Sequence, residues 1–184
     1  MGLLTVILSK RRPTQSLVYR ALCKATSSEE RATTADLLDR TREIINETWG
    51  ASPTNERIWN ALHKSEHISR NVKQFLWKCQ HGTLKIGSYW TKMPGYGNRA
   101  ECSLCGELET IDHILFECEQ GAGEEAWRLT KGVLEQKGVP WPRHMNIHTI
   151  IGIPFASHKN KEGRKLQGAS RLMQIAISET AFQI

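Results

Sequence analysis

Cys102, Cys105, His113 and Cys118 follow the pattern C-x2-C-x7-H-x4-C. Three thiolates and one imidazole make a complete tetrahedral set of soft ligands for one zinc ion, with no position left open for water or substrate. A closed site of that kind is structural. The competing reading is four buried residues that cluster without a metal, since free cysteine is among the most buried residue types. A C-x2-C-G run followed by a histidine and a third cysteine within sixteen residues argues against it.

The ligands need two local elements. The run Cys102-Ser103-Leu104-Cys105-Gly106 reads as a tight turn whose backbone amides can point at both sulfurs, with Gly106 taking the positive φ that the turn requires. His113 and Cys118 fall in a short helix from Ile111 to Cys118. Five residues is about 140° around an ideal helix, so Cys118 is expected where the helix frays, ahead of Gly121 and Gly123. Of the other cysteines, Cys79 lies on the apolar face of a predicted helix and reads as core, and nothing gives Cys23 a role. The thiol set points to a reducing, intracellular setting rather than to a disulfide framework.

Around this centre the pattern is helical. Leu37, Leu38, Thr41, Ile44, Ile45, Thr48 and Trp49 repeat with helical spacing between a Thr33 or Thr34 cap and Gly50. A turn at residues 52–55 leads into a shorter helix through Ile58, Trp59 and Leu62. In the helix from Ile68 to Gln80, Ile68, Val72, Phe75, Leu76 and Cys79 form one stripe, and Arg70, Lys73 and Trp77 share the other side. An aromatic between two cations suits base stacking. It equally suits packing under a neighbouring segment, with the cations' aliphatic stems covering the ring. Ile86, Tyr89 and Trp90 suggest a short helix, residues 124–137 a longer one, and the last helix runs from about Lys161.

The expected architecture is mainly α, a small helical domain with a Cys3His zinc knuckle and a short helix. Residues 1–32 read as a poorly ordered or extended segment, with Leu3–Leu8 as a strand or buried run too short to span a membrane. Residues 33–137 read as the helical zinc-binding domain with its knuckle at 100–120, 138–160 as a loop-rich linker, and 161–184 as a truncated C-terminal helix. That helix has no Gly, Pro or polar stop at its end, as in a chain cut from something longer.

Net charge is +6, unevenly spread. Arg57 to Arg99 holds eight Lys or Arg and one acid, Glu101 to Glu125 holds eight acids and no Lys or Arg, and Arg128 to Arg171 holds nine basic residues and two acids. A knuckle that gripped nucleic acid directly would carry its own cations. Contact with RNA or DNA therefore falls to the flanks, and the candidates are Arg70, Lys73, Trp77, Lys78 and Lys85. A solvated helix face is the other reading of such stretches. Lys10-Arg11-Arg12 is compatible with a nuclear signal, though three basic residues are weak evidence.

Several segments together resemble one family. They are Phe75-Leu76-Trp77-Lys78, Lys85-Ile86-Gly87-Ser88-Tyr89-Trp90, Cys102-Ser103-Leu104-Cys105-Gly106, Glu109-Thr110, His113-Ile114-Leu115-Phe116-Glu117-Cys118 and Trp127. This set is similar to the reverse-transcriptase zinc-binding domain of non-LTR retroelement proteins, which follows the polymerase and often lies near a ribonuclease H domain. The likeness is best from Ile58 to Trp127, and Thr14 to Leu22 resembles the stretch after ribonuclease H more loosely. The resemblance implies a metal-stapled module that helps such a protein handle its template. Its partners would be RNA or DNA and the polymerase or ribonuclease H domain of a parent protein, with no membrane. It also implies that chemistry resides elsewhere, in carboxylate clusters that hold magnesium. Asp36, Asp39 and Asp112 are this chain's aspartates, and no strand pattern presents them as such a cluster.

Two functions follow from the sequence. One is a zinc-binding accessory module with non-sequence-specific nucleic-acid contact and no catalysis of its own. The other is a purely structural or protein-interaction module that packs against other domains of the parent protein.

Overall fold

The computed structural model describes residues 14–25 and 31–184. The readings of Leu3–Leu8, of Lys10-Arg11-Arg12 and of the Cys23 side chain lie outside what is described. Residues 1–32 and 33–184 are separate compact units. In the first, Gln15–Ala25 forms helix α1, where the sequence suggested an extended or poorly ordered segment. Leu17, Val18 and Ala21 with Leu22 give it a helical apolar spacing over nearly two turns.

The second unit is built from α2 (Ala32–Trp49), α3 (Asn55–Lys64), α4 (Arg70–Gln80), α5 (Ser88–Thr91), α6 (Gly123–Gln136), α7 (Ile147–Gly152) and α8 (Gln167–Gln183). The architecture is mainly helical, and the described residues contain no strand, only two isolated bridges. The boundaries follow local chemistry. Thr54 and Ser69 cap α3 and α4 by accepting hydrogen bonds from the amides of Arg57 and Val72, each at 3.3 Å. Gly50 ends α2 with φ of 64°, and its amide donates to the Asn46 carbonyl.

One apolar core joins these helices, α5 excepted. Leu38 and Ile45 of α2, Ile58 and Leu62 of α3, and Val72, Leu76 and Cys79 of α4 meet Leu134 of α6, Ile150 and Ile151 of α7 and Met173 and Ile177 of α8. The stripe read from Ile68 to Cys79 is the buried face of α4, with Phe75 half-buried at its edge against Phe182. Burial pushes the Cys79 thiol up to about 12, with the charge of Asp112 adding to the effect. It is a packing residue. In the middle of the core the Thr41 hydroxyl donates to Gln80 Oε1 or the Leu37 carbonyl, each 2.8 Å away, and lies 2.8 Å from His148 Nδ1. This polar contact fixes α2, α4 and α7 in one register. Burial holds the His148 imidazole below its ordinary value and so favours the neutral ring.

The reading of 138–160 as a linker does not hold. Val139, Ile147, Ile150, Ile151, Ile153 and Ala156 all lie in the core. Only six residues make α7, too few to display a helical period, and Asn146 starts it by accepting from the Thr149 amide at 2.8 Å. The last helix begins at Gln167 and not near Lys161. Asn160 holds the residues between, its side-chain oxygen accepting from the amides of Glu162 and Arg164 and so forming a tight turn. Helix α8 packs along α6, where the hydroxyls of Thr130 and Thr180 are 2.7 Å apart.

Candidate metal centre

Residues 100–109 fold as a small hairpin. The Cys102 amide donates to the Glu107 carbonyl at 2.7 Å, the Gly106 amide to the Cys102 carbonyl at 2.8 Å, and the Glu109 amide to the Ala100 carbonyl at 2.8 Å. Gly106 sits at φ of 81°, as the turn requires. The turn aims the amides of Cys105 and Leu104 at the Cys102 sulfur, and with the nearby His113 ring they hold its thiol down from the ordinary 9.0 to about 6. At Cys105 the Glu107 amide pulls the other way from burial and the adjacent Cys102 and Cys118 sulfurs, and the balance is upward.

The second half of the centre departs from an α-helix. Residues His113–Glu117 form a π-helical turn in which the Cys118 amide donates to the His113 carbonyl at 2.9 Å. A bond from residue i to i+5 closes a wider turn than the usual one, so two residues five apart return to one side. The expected fraying is replaced by this turn, and it is what brings His113 and Cys118 together. Thr110 starts the turn, its hydroxyl accepting from the His113 amide at 2.9 Å.

The ligand atoms of Cys102, Cys105, His113 and Cys118 all lie within 4.8 Å of one another. The sulfurs of Cys102 and Cys118 are 3.8 Å apart, those of Cys118 and Cys105 3.9 Å, and Cys105 Sγ is 3.2 Å from His113 Nε2. A tetrahedron with zinc–sulfur bonds of about 2.3 Å has sulfur–sulfur edges of about 3.8 Å. The donor set and the spacing therefore fit one zinc ion. Bound there, zinc supplies a cross-link between hairpin and π turn. His113, Cys102 and Cys118 are buried, and Cys105 is half-buried.

Residues 40–123 match the protein family described as zinc-binding in reverse transcriptase. Over that stretch the chain is similar to a reverse-transcriptase zinc-binding domain. No curated protein and no solved structure matches the chain. The domain is an accessory zinc-binding one and not the catalytic one of such proteins, and the cluster accords with a single structural zinc. No helix of the described residues is long and apolar enough to cross a membrane.

Two of the supports for the metal centre, Trp127 and Ile147, lie outside the matched stretch. Trp127 on α6 donates its indole N–H to the Leu115 carbonyl at 2.6 Å and stacks on Phe116 with ring centroids 5.3 Å apart. Gly123 lets α6 start against the π turn, since a Cβ there would sit 2.8 Å from the Leu115 carbonyl oxygen. Asp112, next to the ligand His113, accepts from the Ile147 amide at 2.8 Å and so ties the centre to α7. Sequence reasoning set Asp112 aside as an unlikely magnesium ligand and gave it no other role. Its position beside a ligand was the available signal.

The other candidates are scattered. Arg70, Lys78 and Lys85 are exposed and Lys73 half-buried, and none forms an ion pair among the described residues. Trp77 packs on His81 at 4.2 Å between ring centroids, and His81 in turn stacks on Trp59 at 4.6 Å. Trp77 thus rests on the end of its own helix and stays 37% exposed.

The depressed Cys102 thiol gives the hairpin a pH dependence of definite sign. A folded-state value below the unfolded one stabilises fully above about 9 and is lost as pH falls through about 6. Metal affinity falls in the same direction because the ligands must be deprotonated. Acidification through that range is expected to release zinc to a colorimetric chelator before the helices melt by circular dichroism. Release that tracks global unfolding at every pH would contradict the assignment.

Proposed function

We propose that the chain is a zinc-stapled accessory module of a reverse-transcriptase protein, in which Cys102, Cys105, His113 and Cys118 ligate one zinc and flanking cations contact RNA or DNA without reading sequence. The module carries no catalysis of its own, and its other partner is the polymerase or ribonuclease H domain of the parent protein. The observation that carries this reading is the convergence of four soft ligands inside the matched domain, beside a segment with eight Lys or Arg against one acid. The acidic hairpin repels phosphate, so the strand runs over the flanks. Arg70, Lys73, Lys78 and Lys85 offer phosphate contacts, and Trp77 offers its outer edge, being 37% exposed. A nuclear setting suits such a partner.

Binding is expected to weaken steeply with salt. Arg70→Gln and Lys73→Gln should each lower the slope of log affinity against log salt by about 1, with little preference between sequences. Titration of a labelled single strand at several salt concentrations measures this. Slopes unchanged in both variants would remove those residues from the interface.

A protein-interaction role has one observation in its favour. Leu104 at the tip of the hairpin and Leu108 at its base are 55% and 48% exposed, where a docking domain could cover them. Absence of nucleic-acid binding at physiological salt would favour that role.

A further inference from the structure

Residues 85–100, between α4 and the metal hairpin, carry an aromatic cluster that the core does not explain. Tyr89, Trp90 and Tyr96 neither belong to the apolar core nor pack against it. They are held by one another and by cations. Tyr89 and Trp90 meet edge-on with centroids 5.1 Å apart, and Trp90 and Tyr96 lie 6.0 Å apart at 34°. The Arg99 guanidinium sits 5.1 Å from the Trp90 centroid and 5.3 Å from that of Tyr96, and Lys85 Nζ is 5.9 Å from Tyr89. Tyr96 stays 48% exposed and neighbouring Met93 38%. Tyr89 and Trp90 are half-buried, and none of the three rings is buried as a ring placed for core stability would be.

The cluster is also fixed in place. The Trp90 indole N–H donates to the Lys85 carbonyl at 2.7 Å. Gly87 enters α5 at φ of 46°, so close to the hairpin that a Cβ would sit 2.5 Å from the Glu109 carbonyl oxygen. Only glycine can hold that approach. From the other end, the Ala100 carbonyl accepts from the Glu109 amide at 2.8 Å, two residues before Cys102. The rings are therefore mounted on the zinc hairpin.

The charge nearby is of one sign. Lys85, Lys92 and Arg99 are exposed, no acid occurs between Glu66 and Glu101, and none of the three cations is in an ion pair among the described residues. An exposed Tyr96 ring and a half-buried Trp90 beside unneutralised cations complement one occupant, a single-stranded nucleic acid whose bases stack and whose phosphates meet Lys and Arg. We propose that Trp90 and Tyr96, bridged by Arg99 and flanked by Lys85 and Lys92, form the stacking platform on which this chain binds single-stranded RNA or DNA. The proposal rests on the nucleic-acid reading above and moves its stacking residue from Trp77 to Trp90 and Tyr96.

The test uses the full zinc-loaded chain, a labelled oligothymidylate and an abasic strand of equal length, at low salt. Tyr96→Ala should weaken binding to the oligothymidylate by roughly tenfold, and Tyr96→Phe should restore it, because stacking needs the ring and not the hydroxyl. The abasic strand should bind more weakly than the oligothymidylate and be indifferent to Tyr96→Ala. Base stacking should quench tryptophan fluorescence in the wild type, and Trp90→Phe should lose most of that quenching. Zinc content and thermal midpoint of each variant report whether the hairpin is intact.

If the wild type binds both strands equally and Tyr96→Ala changes nothing, the platform is refuted while phosphate contact stands. If the wild type binds neither strand at low salt, both the platform and the nucleic-acid reading fall. Variants that keep full affinity for the strand but lose capture of an acidic peptide would assign the rings to a protein partner, and would overturn the proposal.

Discussion

Cys118→Ser should take the protein from one zinc per chain to almost none after dialysis against a competing chelator, and should open residues 100–121 to protease. The expectation follows from how little else holds that segment. Apart from its ligands, only Ala100 and Leu115 are buried there, and the hairpin bonds are few enough to exchange with water. Zinc binding to small thiolate sites is worth about 10–16 kcal/mol in apparent free energy at neutral pH, which is folding free energy where no preformed site exists. In this chain the loss should be local at first. Helices α2 and α4 should keep their place in the core through Leu38, Ile45, Val72 and Leu76, which lie far from the ligands in sequence. Helices α6 and α7 should loosen, because the Trp127 bond to Leu115 and the Asp112 bond to Ile147 both start from the metal segment. Elemental mass spectrometry and limited proteolysis read the two effects. Full occupancy with an unchanged cleavage pattern would mean that Cys118 is not a ligand.

How much of this was legible in the sequence depends on whether a residue acts through spacing or through distant contact. The four ligands were legible because thiolate and imidazole at short separations have few other uses. The stripe on α4 was legible because eleven residues display a period. The π turn was not, since its defining bond spans five residues and a pattern of side chains is silent about which carbonyl an amide chooses. Residues 138–160 looked like linker because Pro140, Pro142 and a six-residue helix show punctuation without period. Their core role comes from partners on α2, α4 and α8 far away in the chain. Trp90 was read as part of a short helix and of the family resemblance, and nothing singled out Tyr96. Their grouping with Arg99 depends on a tight chain reversal at Gly95, with φ of 82°, that folds the three onto one another.

Trp127→Ala should be the costliest single change outside the ligand set. The ring is 8% exposed, stacks on Phe116 at an interplanar angle of 14°, and meets Trp141 edge-on at 6.0 Å. Truncating a buried Trp to Ala typically costs about 3–5 kcal/mol from lost transfer energy and the cavity left behind. For a chain of this size that lowers the thermal midpoint by roughly 6–20 °C. Trp127→Phe separates two contributions, since it keeps most of the stacking on Phe116 but removes the indole donor from Leu115. Leaving that carbonyl unpaired in the interior costs about 1–3 kcal/mol. The Phe variant should therefore fall between wild type and Ala, and should raise amide exchange in the π turn more than in α4. Thermal unfolding of the zinc-loaded protein, followed by hydrogen exchange, measures both. A Phe variant as stable as wild type, with unchanged exchange at residues 113–118, would show that the π turn stands without the indole bond and that zinc alone holds it.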